Sequence, residues 1–170
     1  MEKNMTANSV VLIGMPGAGK STVGIMLAKE MGLDFVDTDI SIQVREGKTL
    51  QQITDESGYL TLRDIEEKVL LAEDITGKVV STGGSAVYSD AGMAHLAKDS
   101  VVVFLDVPMA ALKARVSNFS TRGIARRPDQ SFDDLFAERS VLYRRYADVC
   151  VDCSTLSIDE VLQKTLRMLA

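Results

Sequence analysis

The amino-acid sequence predicts an α/β fold in which helices are layered on a parallel β-sheet. Short runs rich in valine and isoleucine alternate with longer segments whose apolar residues have helical spacing. This alternation is typical of parallel sheets with right-handed crossovers. Several of the short runs are almost entirely apolar, as expected for strands buried on both faces. A glycine-rich loop between the first run and the first helical segment marks the strand-to-helix turn of such a fold.

The first predicted strand, Val10–Ile13, leads through this loop into a helix predicted over residues 22–31. The loop has the form G-x-x-x-x-G-K-[ST], in which backbone N–H groups and a helix N-terminus cradle phosphates. In such a loop Lys20 binds the β- and γ-phosphates, and the Ser21 hydroxyl binds Mg²⁺. We expect Lys20 to face solvent when no nucleotide is bound. The residues predicted to contact a nucleoside triphosphate are Gly14, Met15, Pro16, Gly17, Ala18, Gly19, Lys20, Ser21 and Thr22.

The second predicted strand, residues 34–36, is followed by the carboxylates Asp37 and Asp39. Open α/β sheets bind ligands at the carboxyl ends of their strands. One carboxylate could hold a metal ion through water, and the other could accept a proton from a substrate hydroxyl. An aspartate here could instead cap the helix that begins near Ile40. Beside the phosphate-binding loop, the pair favours catalysis.

The next helical segment begins with a capping box at Thr49 and Gln52 and carries Arg63 and Glu66 one turn apart. The planar guanidinium of Arg63 suits a carboxylate ligand, and Glu66 could orient it. An ordinary surface ion pair has the same spacing.

The third predicted strand, residues 79–81, is followed by the glycines Gly83 and Gly84. Paired glycines permit close approach of a ligand to the backbone, although a tight turn has the same composition. Two further strands are predicted at 101–105 and 149–151.

The second half of the chain is predicted to contain three helices, which begin after Pro108, Ser131 and Ser157. Between the first two lies an irregular, arginine-rich stretch over residues 118–130. A loop of that length is usually functional or disordered.

Composition limits the class of protein. The chain has 170 residues, 46% of them hydrophobic and 25% charged, which suits one buried core. A net charge of −5 argues against nucleic acid as the main partner, because binding it relies on a basic surface. No apolar run is long enough to span a bilayer, and the N-terminus lacks a signal-peptide core. We expect a cytoplasmic protein.

Cys150 and Cys153 form a C-x-x-C pair that is not expected to bind a metal. They fall where a strand runs into a loop, and strand residues three apart point to opposite faces. A structural zinc site needs four ligands, and His95 is the only histidine in the sequence. A reduced pair is expected.

Taken together, these segments resemble the shikimate kinase family, whose motifs they match in order and approximate spacing over nearly the whole chain. The matching positions are the loop at 14–21, Asp37 with Asp39, Arg63 with Glu66, Gly83 with Gly84, the arginine-bearing stretch, Glu138 with Arg139, and Tyr143, Ala147 and Asp148.

The resemblance implies a three-layer α/β/α P-loop NTPase fold of the nucleoside-monophosphate-kinase type, with a five-stranded parallel sheet in the order 2-3-1-4-5. One domain would cover residues 1–170, with a mobile lid near 118–131 and a substrate-binding helical region near 38–73. The implied activity is phosphorylation of shikimate to shikimate 3-phosphate by MgATP, in aromatic amino acid (chorismate) biosynthesis. The implied partners are ATP and a small anionic hydroxylated substrate. Neither nucleic acid nor a membrane is expected as a partner, and the protein is expected to be a monomer.

The resemblance also implies roles for individual residues. Ser21 and Asp37 would serve Mg²⁺, and Asp39 would grip the substrate hydroxyls and act as the base. Arg115 would lie against the adenine. The substrate carboxylate would be held by Arg63, Arg139 and the backbone of Gly83 and Gly84.

An arginine of the lid would close over the phosphates and complete a catalytic set with Lys20 and Asp39. The candidates are Arg122, Arg126 and Arg127. Arg127 ranks first among them because it precedes a proline, Pro128, as the lid arginine of the family does.

The chain departs from the family pattern only near the acceptor and the lid. It has Ser85 where the family usually has a third glycine, Leu62 for phenylalanine and Val141 for proline. Its lid reads Arg-Arg-Pro-Asp-Gln at 126–130, where the family has Arg-Pro-Leu-Leu. A related kinase that acts on homoserine, gluconate or another small hydroxylated acceptor therefore stays open. So does a nucleotide-binding module without catalysis, although Lys20 and both aspartates argue against it.

Overall fold

A computed structural model describes residues 8–170, so the start of the predicted domain, and the predicted lack of a signal-peptide core there, lie outside the described part. Within 8–170, five parallel strands form one sheet: β1 (Val10–Ile13), β2 (Asp34–Asp37), β3 (Lys78–Ser81), β4 (Val101–Asp106) and β5 (Val149–Asp152). Their spatial order is β2-β3-β1-β4-β5, which confirms the order that the resemblance implies.

Helices surround this sheet and give the predicted α/β architecture. They are α1 (Lys20–Met31), α2 (Thr38–Glu46), α3 (Leu50–Ala72), α4 (Asp90–Ala97), α5 (Met109–Arg115), α6 (Phe132–Tyr146) and α7 (Ile158–Leu169). Short 3₁₀ turns occur at Ala86–Tyr88 and Phe119–Thr121. Helix α1 packs with α7, and α3 packs with α4 and α2. A glycine with positive φ, Gly58 (φ 82°), kinks α3.

The core explains the sheet order. All four side chains of β1 are buried, as are the first five of β4, so these strands occupy the middle of the sheet. The outer strands β2 and β5 leave part of their side chains accessible. Strands β2, β4 and β5 each extend one residue beyond the prediction, to Asp37, Asp106 and Asp152. The apolar pattern misses these positions because polar residues end each strand at the ligand-binding edge.

Local capping sets the helix boundaries. Capping boxes open α3 at Thr49, α6 at Ser131 and α7 at Ser157, as predicted. Helix α1 begins at Lys20, two residues before the predicted start, because Gly19 (φ 90°) occupies the position before its first turn. None of the helices within residues 8–170 has the length and apolar character needed to cross a membrane.

Candidate active site

A cavity of about 340 Å³ lies at the carboxyl ends of the central strands. It is lined by many of the residues that the sequence singles out: Pro16, Gly17, Gly19, Lys20, Ser21, Thr22, Asp39, Gly84, Arg115 and Arg139. Others adjoin this lining, namely Gly14, Met15, Ala18, Asp37, Arg63 and Gly83. The structure therefore brings the predicted donor and acceptor residues to one place.

In the phosphate-binding loop, the side chain of Lys20 folds back onto the backbone of the loop. Lys20 is buried, and its Nζ donates to the carbonyl oxygens of Gly14 at 2.7 Å and Met15 at 2.9 Å. The expectation that Lys20 faces solvent is therefore wrong, because the loop's own carbonyl groups hold the ammonium. Burial lowers the pKa of Lys20 to about 8, while the charge of Asp39 acts in the opposite direction. Lys20 therefore remains mostly protonated at neutral pH, and the carbonyl groups of the loop fix the position of its ammonium group.

Asp37 caps helix α2, as considered for an aspartate here, and also bonds the first turn of α1. Its Oδ2 accepts a hydrogen bond from Ser21 Oγ at 2.5 Å, which joins the end of β2 to the first turn of α1. Its Oδ1 accepts from the backbone N–H groups of Asp39 and Ile40, so Asp37 is also the N-cap of α2. Capping holds the carboxylate next to the Ser21 hydroxyl.

Asp39 lies in the first turn of α2 and faces Gly83. A Cβ on Gly83 would stand 2.6 Å from Asp39 Oδ1 and 2.5 Å from Glu66 Oε1, so a larger residue there would have to displace both carboxylates. Burial raises the pKa of Asp39, and the charge of Asp37 raises it further. The charges of Lys20 and two arginines lower it. Asp39 is thus a carboxylate with an elevated proton affinity at the cavity wall.

Glu66 is a second buried carboxyl group, and it does not orient Arg63 as predicted. Its Oε2 accepts a hydrogen bond from Ser85 Oγ, and its Oε1 has no partner among the described residues. The predicted contact does not form because Ser85 supplies a hydroxyl within reach of the Glu66 carboxylate. Burial raises the pKa of Glu66 to about 7, and the charge of Asp39 adds to this effect.

Two arginines converge on one point beside Asp39. Arg139 on α6 is almost completely buried and donates to the carbonyl oxygen of Ala125 at 2.8 Å. Arg63 on α3 reaches the same oxygen at 3.4 Å. The Nε of each arginine is buried and finds no partner in the described part of the chain. Buried N–H groups normally donate a hydrogen bond. The two arginines can therefore still donate to a ligand that carries hydrogen-bond acceptors.

The segment predicted to be the lid, residues 118–131, places Arg122 in the lining of the cavity. The next residue, Gly123, has φ 66°, and a Cβ there would stand 2.6 Å from the backbone nitrogen of Gln51. Gly123 N–H also donates to Gln51 Oε1 at 2.7 Å. This contact holds the lid segment against the start of α3.

The other two lid arginines point elsewhere. Arg127, the first-ranked candidate, is not part of the cavity lining and makes a half-exposed pair with Glu138, at 3.4 Å between Nη1 and Oε2. Arg126 donates to backbone oxygens of its own loop, including that of Gln130 at 2.9 Å. The geometry therefore favours Arg122 for the role that the sequence ranking gives to Arg127.

The remaining predicted positions are at the periphery. Arg115 at the end of α5 donates to the carbonyl oxygen of Gly17 at 3.3 Å, at the edge of the cavity. Cys150 is exposed, Cys153 is buried, and both are free thiols.

Three residues near the cavity carry contacts that the sequence does not indicate. Ser85 binds Glu66, Tyr88 packs on Arg63, and Tyr143 donates to the carbonyl oxygen of Gly84 at 2.6 Å. Ser85 has a visible signal, its place directly after the glycine pair, and Tyr143 is one of the positions that match the family, but neither signal indicates the partner. The two tyrosines act through contacts between distant segments, which no local pattern reveals.

Shikimate kinases appear in each comparison with known proteins. The family model for shikimate kinase matches residues 16–170. The "Shikimate kinase" of Thermodesulfovibrio yellowstonii is 33% identical over 162 residues, which cover 94% of this chain and 93% of that protein. That of Aromatoleum aromaticum is 40% identical over 147 residues, covering 84% and 83%. Among solved structures, the shikimate kinase of Acinetobacter baumannii in complex with shikimate aligns with a TM-score of 0.86 and 28% identity, covering 97% of this chain and 94% of that one.

Proposed function

The chain belongs to the shikimate kinase family of transferases, and we propose that it transfers the γ-phosphoryl group of ATP to a hydroxyl group of shikimate. The observation that carries the proposal is the convergence of Arg63 and Arg139 beside Asp39 and the phosphate-binding loop. Two guanidinium groups at one point favour a carboxylate, because their planar forks match its two oxygens. A hydroxylated acid bound there lies next to both the base and the phosphate site.

Asp39 is the base that accepts the proton of the attacking hydroxyl. Its raised pKa strengthens it as a base, while the charges of Lys20 and the nearby arginines keep the ionised form accessible. Glu66, with a pKa of about 7, is partly protonated at neutral pH. A neutral Glu66 leaves the negative charge on Asp39, as expected when two carboxyl groups share a buried site.

The donor side positions the phosphates and neutralises their charge. The loop supplies backbone donors, and Lys20 exchanges its two carbonyl partners for phosphate oxygens. Arg122 faces the same cavity from the lid segment, and we assign to it the stabilisation of charge on the transferring group.

The residues present fit a Mg²⁺ ion bound together with ATP. Ser21 and Asp37 offer a hydroxyl and a carboxylate oxygen 2.5 Å apart, an all-oxygen set of the type that Mg²⁺ prefers when phosphates complete its coordination. The ion would supply charge neutralisation at the β- and γ-phosphates. Ser21 and Asp37 are the residues that would hold it.

We also propose that residues 38–73 form the substrate-binding region and 118–131 the lid, since these segments supply Asp39, Arg63 and Arg122. The cytoplasm, where ATP is supplied and free thiols stay reduced, is the proposed location.

Changing Arg63 and Arg139 to lysine together should raise the KM for shikimate by about tenfold or more, with the KM for ATP nearly unchanged. An ammonium keeps the charge but cannot donate in a planar fork. Steady-state kinetics with shikimate and with its carboxamide analogue measure the effect. The wild type should bind the acid better than the amide, and the double variant should lose this preference.

The matched control is Arg144→Lys, on helix α6 together with Arg139. Arg144 pairs with Asp106 at the surface, at 2.8 Å, outside the cavity lining. Its variant should keep the wild-type KM for shikimate. If the wild type phosphorylates the amide as well as the acid, Arg63 and Arg139 do not form a carboxylate clamp, and the proposed acceptor is wrong.

A further inference from the structure

The ring of Tyr88 packs against the proposed carboxylate clamp, which consists of Arg63 and Arg139. It is the last residue of the 3₁₀ turn that follows the Gly83–Gly84 pair. The centre of its ring lies 3.6 Å from the guanidinium carbon of Arg63 and 5.4 Å from that of Arg139. One aromatic ring thus contacts both arginines that converge on the acceptor site.

The ring of Tyr88 holds Arg63 without using its N–H donors, one of which bonds the carbonyl oxygen of Ala125, while Nε has no partner among the described residues. A guanidinium stacked on an aromatic face is attracted through its flat side. Its N–H groups lie in the plane and point away from the ring. A carboxylate partner would instead occupy those donors and compete with a bound acid. Glu66 hydrogen-bonds Ser85 and not Arg63, and aromatic rings pack on the cation instead: Tyr88 at 3.6 Å and, farther away, Tyr59 at 5.1 Å.

The ring is itself fixed by a network outside the cavity. The Tyr88 hydroxyl donates to Glu138 Oε1 at 2.5 Å. Glu138 Oε2 accepts from the side chains of Gln130 at 3.2 Å and Arg127 at 3.4 Å. Glu138 directly precedes Arg139 on α6. The end of the lid segment, the clamp helix and the ring are therefore joined through one carboxylate, which gives Arg127 a supporting contact away from the phosphates.

We propose that Tyr88 is a positioning residue that holds Arg63, and through it the carboxylate clamp, in the geometry that binds the acceptor acid. The inference rests on the proposed function, since it assigns a role within the same acceptor site. It predicts an effect on acceptor KM that depends on the aromatic ring and on the carboxylate of the substrate.

The test compares Tyr88→Leu and Tyr88→Met with Tyr88→Phe. The first two remove the ring and should raise the KM for shikimate by about tenfold, whereas Phe keeps the stack and should stay within about threefold of wild type. The KM for ATP should not move in any variant. The carboxamide analogue should show no such increase, because its binding does not depend on the clamp.

Tyr146→Leu is the matched control. Tyr146 also bonds a carboxylate, that of Asp90, and packs on an arginine, Arg145, at 5.3 Å, but it lies outside the cavity lining. Its variant should keep the wild-type KM for shikimate.

Three results would overturn the proposal. An equal rise in KM for acid and amide in Tyr88→Leu and Tyr88→Met would mean that Tyr88 only supports the local fold. A loss in Tyr88→Phe as large as in Tyr88→Leu would assign the effect to the hydroxyl bond. A wild-type KM for shikimate in the ring-free variants would remove any role. The proposed function fails separately, when the wild-type enzyme itself does not prefer the acid.

Discussion

Replacing Arg122 by glutamine should lower kcat by about a thousandfold, whereas the same change at Arg127 should leave kcat within about threefold. Arg122 lines the cavity that also contains Lys20 and Asp39. Arg127 is a half-exposed partner of Glu138 outside that lining. Because an arginine stabilises a transferring phosphoryl group only when it reaches it, the two variants should differ sharply. Steady-state turnover at saturating ATP and acceptor measures the difference.

The pH dependence of the same variants provides a second check. Burial is the main influence that raises the pKa of Asp39, and the charge of Arg122 is among those that lower it. A base acts when deprotonated, so activity rises as the pH increases through its pKa. Without Arg122 this rise should move to higher pH, and in Arg127→Gln it should stay in place. A large loss at Arg127 with little change at Arg122 would restore the ranking from sequence.

Asp39→Asn should lower kcat by roughly 10²- to 10⁴-fold while the affinity for ATP changes little. The amide keeps the shape of the side chain but cannot take a proton from the attacking hydroxyl. Asp39 faces Gly83 at the cavity wall and makes none of the hydrogen bonds that hold Lys20, which go to the carbonyl groups of Gly14 and Met15. Single-turnover phosphorylation and nucleotide binding, measured on the same preparation, separate the two effects.

Asp37→Asn is the comparison variant, and its loss should be partly reversed at high Mg²⁺ concentration. Asp37 bonds the Ser21 hydroxyl and caps α2, so we assign it to retention of the metal. Because the cap is kept by asparagine, the fold should survive. If both variants respond alike to added Mg²⁺, the proposed division of labour between the two aspartates is wrong.

The parts of the fold that the sequence predicts correctly are those set by local chemistry. The glycine-rich loop at 14–21 has a backbone that few other sequences can form, and its lysine and serine come with it. Capping boxes at Thr49, Ser131 and Ser157 locate three helix starts within one residue, because the cap and its partner are neighbours in the chain. Strand ends are less certain, since Asp106 and Asp152 continue β4 and β5 without any apolar signal.

Details of the site that depend on distant segments are missed. Arg127 precedes a proline, which sequence can show, but only the folded lid segment reveals that Arg122 faces the cavity. Glu66 is one turn from Arg63, yet it turns to Ser85, which lies on another element. Each of these contacts depends on a residue from a distant segment of the chain. The spacing of residues along one helix does not indicate which segment that is.

The most direct test of the central claim is an assay of ADP release with MgATP and, in turn, shikimate, homoserine, gluconate or no acceptor. Because the chain belongs to the shikimate kinase family, turnover on shikimate should be at least about a hundredfold above the other three reactions. Turnover with homoserine or gluconate in place of shikimate would contradict the proposed acceptor. ATP binding without turnover on any of them would mean that the chain is a nucleotide-binding module and not a kinase.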